Sequence, residues 1–182
     1  MELTIVKACN QFLLYKIDSI TSFVSWIPFL IILWTICAVV SLIFDKKKGK
    51  IVFLTALIAI ALHFLISEGL FKYLLSHFFL TRTRPYLAHP DQIIPIGKQF
   101  VDSSFPSSHM ASTLAELFVF VYYYPFVWPF AVLFASFMAF ARMHNGMHYP
   151  TDILAGAALG LIYGLVAMVI VKKIFNKIKK NK

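Results

Sequence analysis

Long apolar runs separated by short lysine clusters constrain this chain more than any other feature, because only a lipid bilayer accommodates them. Phe23 to Phe44 and Ile51 to about Leu75 each supply the ~20 mostly apolar residues that a membrane-crossing helix needs. Ser107 to Tyr124, stopped by Pro125, is a third and more amphipathic run; Val127 to Met143 is a fourth and Ile153 to Val171 a fifth. The expected fold is an all-α membrane protein, a bundle of about five transmembrane helices forming one domain over residues 1–182. Composition agrees: 60% of the 182 residues are apolar and 14% charged, against about 45–50% and 25% for soluble domains. A soluble enzyme and a disordered chain are thereby excluded.

Residues 1–20 are too polar to span. Leu3, Val6, Phe12 and Leu13 interleave with Lys7, Asn10, Gln11 and Lys16, the pattern of an amphipathic helix lying in the membrane interface. No small-residue cleavage site follows the first span, so no signal peptide is expected. Cys9 and Cys37 are too few for a disulfide framework.

The net charge of +9 is concentrated rather than spread. Ten of the 17 basic residues fall at 46–50 and 172–182, flanking apolar spans, where they act as topology and headgroup signals; nucleic acid is not an expected partner. Both clusters should be cytoplasmic, and five spans put them on one side. The N-terminus, the 76–106 loop and the 143–150 loop then share the outer face. Those loops carry most of the remaining polar residues, among them His77, Arg82, Arg84, His89, Asp91, Lys98, Asp102, His144 and His148.

Three segments there carry chemistry: Thr81 to Pro85 (TRTRP), Phe105 to His109 (FPSSH), and Arg142 through His148 to Asp152. Pro106 suits a first helical turn, with Ser103 and Ser104 as caps, so that free N–H groups, Ser107 and Ser108 face an anion. Asp152, four residues after His148, can accept from one imidazole nitrogen and leave the other free to attack. Arg84 and Arg142 offer forked donors suited to phosphoryl oxygens. His148 is the expected nucleophile and His109 the acid for the leaving oxygen, giving phosphoryl transfer through a phosphohistidine. Arginine near a span end is commonly only an interfacial anchor. That reading does not explain why Arg, Ser, His, Arg, His and Asp should meet on one face. Metal-ligand spacing is absent and the arginines would repel a cation, so no metal and no cofactor are expected.

These segments resemble the signature of the phosphatidic acid phosphatase type 2 superfamily, K-x6-R-P, P-S-G-H and S-R-x5-H-x3-D. Arg84-Pro85, Pro106 to His109, and Arg142-x5-His148-x3-Asp152 match it. His77 stands at the family lysine, Ser108 at the motif glycine and Ala141 at the serine before Arg142. His77 would contact phosphate only when protonated, and Lys72, at i+4 from Glu68, is expected to pair with it inside the bundle. RPYLAH at 84–89, IIP at 93–95 and DSSFPSSH at 102–109 resemble the undecaprenyl-diphosphate phosphatases of the bacitracin-resistance type. That resemblance implies hydrolysis of undecaprenyl diphosphate to undecaprenyl phosphate, on the outer face of the bacterial cytoplasmic membrane, in lipid carrier recycling for peptidoglycan. Phosphatidylglycerol phosphate, phosphatidic acid or a phosphoglycolipid would use the same groups, and a non-catalytic lipid-phosphate binding or transport protein remains an alternative. The implied partners are a membrane lipid substrate and the bilayer itself.

Overall fold

The computed structural model describes residues 1–75 and 81–180, the side chain of residue 75 excepted; His77 lies outside the described residues. Among these, all regular structure is helical: α1 (Glu2–Gln11), α2 (Asp18–Val24), α3 (Ile27–Phe44), α4 (Gly49–His63), a π-helical continuation (Phe64–Leu75), α5 (Pro85–Ala88), α6 (Ser108–Tyr123), α7 (Trp128–His144) and α8 (Pro150–Lys180). Pro28 and Pro129 sit in the first turns of α3 and α7, where a missing N–H costs nothing.

Four segments are long and apolar enough to cross a membrane: Ile27–Phe44, Gly49–Leu74, Pro125–His144 and Pro150–Lys180. They make this a multi-pass membrane protein. The fifth bundle helix, α6, has 16 residues and is the most enclosed, with Ala111, Ala115 and Val119 at 0% exposure. Its Ser, Thr and Glu residues lower its hydropathy, and the surrounding helices take the place of lipid. The last helix exceeds the expected Ile153–Val171 at both ends, and its lysine-rich tail continues the helix to Lys180.

Helices α6 and α8 pack most intimately. Gly156 and Gly160 bring α8 onto α6 so closely that a methyl group at either would strike the backbone carbonyl of Ser107 or Ala111; small residues permit such approach between membrane helices. This contact sets the start of α6 beside the start of α8. At the other end of the bundle Asp45 accepts from the backbone N–H of Lys47 and Lys48 and from the Tyr124 hydroxyl, tying the α3–α4 lysine turn to the end of α6. The two lysine clusters thus lie at the end remote from the 81–107 and 145–149 loops.

The first 20 residues form two helices that dock on the loop end rather than one continuous amphipathic helix. Asn10, fully buried, donates to the carbonyls of Ile94 and His144 and accepts from the Ile94 N–H. Buried Val6 packs with Tyr86, Ile93, Met147 and Tyr149.

Candidate active site

Arg84 caps α5 and turns its guanidinium inward, leaving it 1% exposed. Nε and Nη2 donate to the Asp102 carbonyl (3.0 Å) and carboxylate (2.7 Å), and Nη1 donates to the Met147 carbonyl (3.2 Å). Nη1 also stands 3.5 Å from His148 Nε2. The second carboxylate oxygen of Asp102 meets Lys72 Nζ at 3.1 Å, whereas Glu68 lies 4.0 Å from that ammonium. Lys72 therefore pairs chiefly with Asp102 at the site, not with Glu68 as its i+4 spacing suggested. Burial raises the Asp102 carboxyl, yet Lys72 and Arg84 outweigh it and hold the group below its ordinary value.

His148 follows the turn that ends α7. Gly146, at φ +72°, supplies the left-handed residue that turn requires, and its carbonyl accepts from Tyr86 N–H, joining the Arg84 segment to the His148 loop. His148 Nδ1 lies 2.8 Å from the Ser104 carbonyl. A carbonyl only accepts, so Nδ1 carries the proton and Nε2 presents its lone pair. Burial, then the charges of Arg142, Arg84 and Lys72, hold the imidazole well below its ordinary pKa and so neutral.

Asp152 stands differently from expectation. Its Oδ2 accepts from the Tyr149 N–H (2.8 Å) and is 3.8 Å from His148 Nδ1; its Oδ1 accepts from Arg82 (2.7 Å). The hydrogen bond that fixes the imidazole tautomer comes from the Ser104 backbone, and the carboxylate adds charge at one remove.

Helix α6 begins at Ser108, with Ser107 at its cap position making no side-chain capping bond. This corrects the expectation of Pro106 in the first turn and of Ser103 and Ser104 as caps. Ser103 Oγ instead accepts from the N–H groups of Arg82 and Phe105. The Ser107 N–H donates to the Asp152 carbonyl, so that backbone donor is spent. The side chains are not: Ser104 Oγ, Ser107 Oγ, Ser108 Oγ and Arg142 Nε are buried with no hydrogen-bond partner among the described residues. His109 Nε2 meets the Ser25 carbonyl at 2.9 Å, which leaves Nδ1 for proton exchange.

A cavity of about 450 Å³ opens beside these groups. Its upper end is lined by Lys72, Arg84, Asp102, Ser108, His109 and Arg142; it continues between α3, α4 and α6 along Leu30, Trp34, Phe53, Ala56 and Ile60. His148 and Asp152 do not line it. Arg84, held by Asp102, stands between the cavity and His148 Nε2.

The structure thus brings together Arg84, Ser107, Ser108, His109, Arg142, His148 and Asp152. His144 is not part of the cluster: fully buried, it meets the Cys9 carbonyl and Asp18, stitching α1 and α2 to α7. Lys72, Arg82 and the Ser104 carbonyl join the site without having been singled out for it. A signal for Arg82 existed in its alternate-position spacing from Arg84; a backbone carbonyl leaves none.

Residues 52–176 match the sequence profile of the PAP2 superfamily, and the chain belongs to that superfamily of membrane lipid phosphatases. Its fold is similar to that of Aquifex aeolicus LpxE, with a TM-score of 0.70 and 22% identity over 92% of this chain and 94% of that one. It is also similar to the first transmembrane PAP2 type phosphatidylglycerolphosphate phosphatase from Bacillus subtilis. There the TM-score is 0.67, with 20% identity over 95% and 85% of the two chains. No curated protein matches the chain in sequence.

Proposed function

We propose that this chain removes the terminal phosphate of a membrane lipid, without a metal, by way of a phosphohistidine at His148. One observation carries the reading. A buried, neutral imidazole with its Nε2 lone pair fixed by the Ser104 carbonyl sits among Arg84, Arg142 and three serine hydroxyls that have no partner among the described residues. A phosphoryl group supplies the acceptors those donors lack.

In the first step the substrate phosphate replaces Asp102 as the partner of Arg84 and Lys72, uncovering Nε2. Nε2 attacks phosphorus, the bond from phosphorus to the leaving oxygen breaks, and protonated His109 gives that oxygen its proton. In the second step neutral His109 takes a proton from water, the water oxygen attacks phosphorus, and the N–P electron pair returns to His148. Arg84, Arg142, Ser107 and Ser108 hold the equatorial oxygens throughout. Lys72, which shares Asp102 with Arg84, takes the part of the family lysine.

The substrate we propose is undecaprenyl diphosphate, on the strength of the segments at 84–89, 93–95 and 102–109 and of the largely apolar groove leading away from the site. The enzyme is then a bacterial cytoplasmic-membrane protein that serves lipid carrier recycling, with the site on the outer face and the C-terminus cytoplasmic. The lysine clusters at the opposite end of the bundle support that orientation. A second reading, an acylated lipid phosphate such as phosphatidic acid or phosphatidylglycerol phosphate, has its own observation. Trp34 Nε1, His63 Nδ1 and Glu116 Oε2 are buried without partners among the described residues, and all three residues line the groove; an ester carbonyl can accept from the indole N–H, from an imidazole N–H or from the carboxyl group when it is protonated, and an isoprenoid chain cannot.

Phosphate release by the purified protein in EDTA, from undecaprenyl diphosphate, phosphatidylglycerol phosphate and phosphatidic acid, tests the reading, with His148→Ala as blank. The polyprenyl diphosphate should be preferred. Release from none of them would favour a lipid-binding role.

A further inference from the structure

Arg82 lies outside the cavity, on the far side of Asp152 from His148, and nothing in the mechanism above uses it. Its guanidinium nevertheless makes three side-chain hydrogen bonds. Nη1 donates to Asp152 Oδ1 (2.7 Å) and Thr151 Oγ1 (2.6 Å), and Nη2 donates to Glu2 Oε2 (2.6 Å). The guanidinium carbon stacks 4.1 Å from the centre of the Tyr149 ring. The other oxygen of Glu2 closes the circuit by accepting from the Thr151 N–H and hydroxyl, at 3.0 and 2.7 Å.

We propose that Arg82, steadied by Glu2 at the start of α1, is a positioning residue for the catalytic pair: it holds Asp152 in place and limits how much of that carboxylate's charge reaches His148. The proposal rests on the reading that His148 is the nucleophile. Asp152 is 0% exposed, and a buried carboxylate needs a partner for its charge. Two candidates flank it, Arg82 on Oδ1 and the imidazole 3.8 Å from Oδ2. With the guanidinium in place the charge is partly offset and the imidazole stays unprotonated, as a nucleophile must. Without it, the full carboxylate faces His148 and draws a proton onto Nε2. The cations around His148 oppose protonation: Arg84 from the 81–84 segment, Lys72 from the π-helix and Arg142 from α7; His109 from α6 is near enough to feel the charge of His148. Asp102 is occupied by Lys72 and Arg84. Arg82 thus governs the anion that acts on His148 directly.

A staple that merely fastens α1 to the bundle would show the same contacts, so the test reads charge rather than stability. The full-length protein, labelled with ¹⁵N in its imidazoles, is titrated by NMR in detergent, and His148 is assigned from the signal lost in His148→Ala. In Arg82→Gln the His148 midpoint should rise by about one pH unit, the low end for adding a close unscreened charge. In Arg82→Lys, which keeps the charge but cannot fork between Asp152 and Glu2, it should rise by a few tenths of a unit, on the same principle. In Glu2→Gln thermal stability should fall while the midpoint stays at its wild-type value. No movement in whichever Arg82 variant folds overturns the proposal, and so does an equal rise in Glu2→Gln, which would trace the effect to loosening of α1. The titration needs no turnover. Inactivity toward every lipid, or activity surviving in His148→Ala, would defeat the proposed function and leave this readout separately interpretable.

Discussion

Replacing Asp152 by Asn removes one charge and little else, and the geometry sets how much that charge is worth. As Nε2 bonds to phosphorus the imidazole becomes cationic, and Asp152 Oδ2 lies 3.8 Å from the Nδ1 that shares this charge. At an effective dielectric of about 20, such a pair is worth about 4 kcal/mol. Without that carboxylate Arg82 turns to Glu2 and to solvent, taking its own positive charge away from the imidazole; recovering about half of the loss leaves ~2 kcal/mol on that scale, or about 30-fold in rate. Orientation is not lost with the carboxylate, because Nδ1–H remains bonded to the Ser104 carbonyl, and the Asn side-chain oxygen still accepts from Tyr149 N–H. Asp152→Asn should therefore lower kcat about 30-fold, well short of the ~10⁴ seen where a carboxylate alone fixes a catalytic tautomer. Since Asp152 does not line the cavity, KM should be nearly unchanged. Steady-state phosphate release from the preferred lipid, on protein with wild-type melting behaviour, gives both numbers. A 10⁴-fold loss would show that Asp152 orients His148 unaided, and a loss under about threefold would make its charge irrelevant; either refutes the reasoning.

Other outcomes follow from the same geometry. Lys72→Met should raise KM at least about tenfold, as expected on losing a charge-assisted contact, and should cost more than His77→Ala in the same assay. Because the His148 pKa is held well below 6.5 and the nucleophile must be unprotonated, the acid limb of kcat/KM in wild-type protein should fall below that pH; a limb at or above it would contradict a depressed His148. Glu116→Leu should lower kcat/KM for phosphatidic acid relative to undecaprenyl diphosphate, since only the acyl lipid carries a carbonyl for that part of the groove. Equal effects on the two, measured in competition, would remove the argument for the second substrate reading.

The bundle was legible because membrane spans write themselves as apolar runs, and the four longest fall close to where hydropathy puts them. Helix α6 shows the limit: its polar residues face protein, so its composition understates its place at the centre. Arg84, His109, Arg142, His148 and Asp152 were legible because their spacings are short and each local turn carries its residue into the cluster. Lys72 was not. Its distance in sequence from Arg84 breaks the family spacing, and it lies on a π-helical stretch with i→i+5 bonding, where α-helical i+4 reasoning pairs it with Glu68. The same i+4 habit made Asp152 the direct partner of His148, although the first turn of α8 gives its Oδ2 to the Tyr149 N–H. The group that does fix the tautomer is a backbone carbonyl, and no residue type at position 104 would have announced it. Nor did amphipathic patterning show that residues 1–20 dock on the bundle, because an apolar side such as that of Leu3 and Val6 suits lipid as well as protein, and the contacts that decide between them are made by Asn10 and Glu2.

The central claim is that phosphate passes through His148 on its way to water, and trapping tests it most directly. Undecaprenyl diphosphate labelled with ³²P in its terminal phosphate would be mixed with the protein in EDTA and quenched in alkali within one turnover. The account predicts protein-bound label that survives alkali, is released by acid, and is lost in His148→Ala. Label retained in that variant, or rapid wild-type turnover with none trapped on any quench timescale, would contradict it.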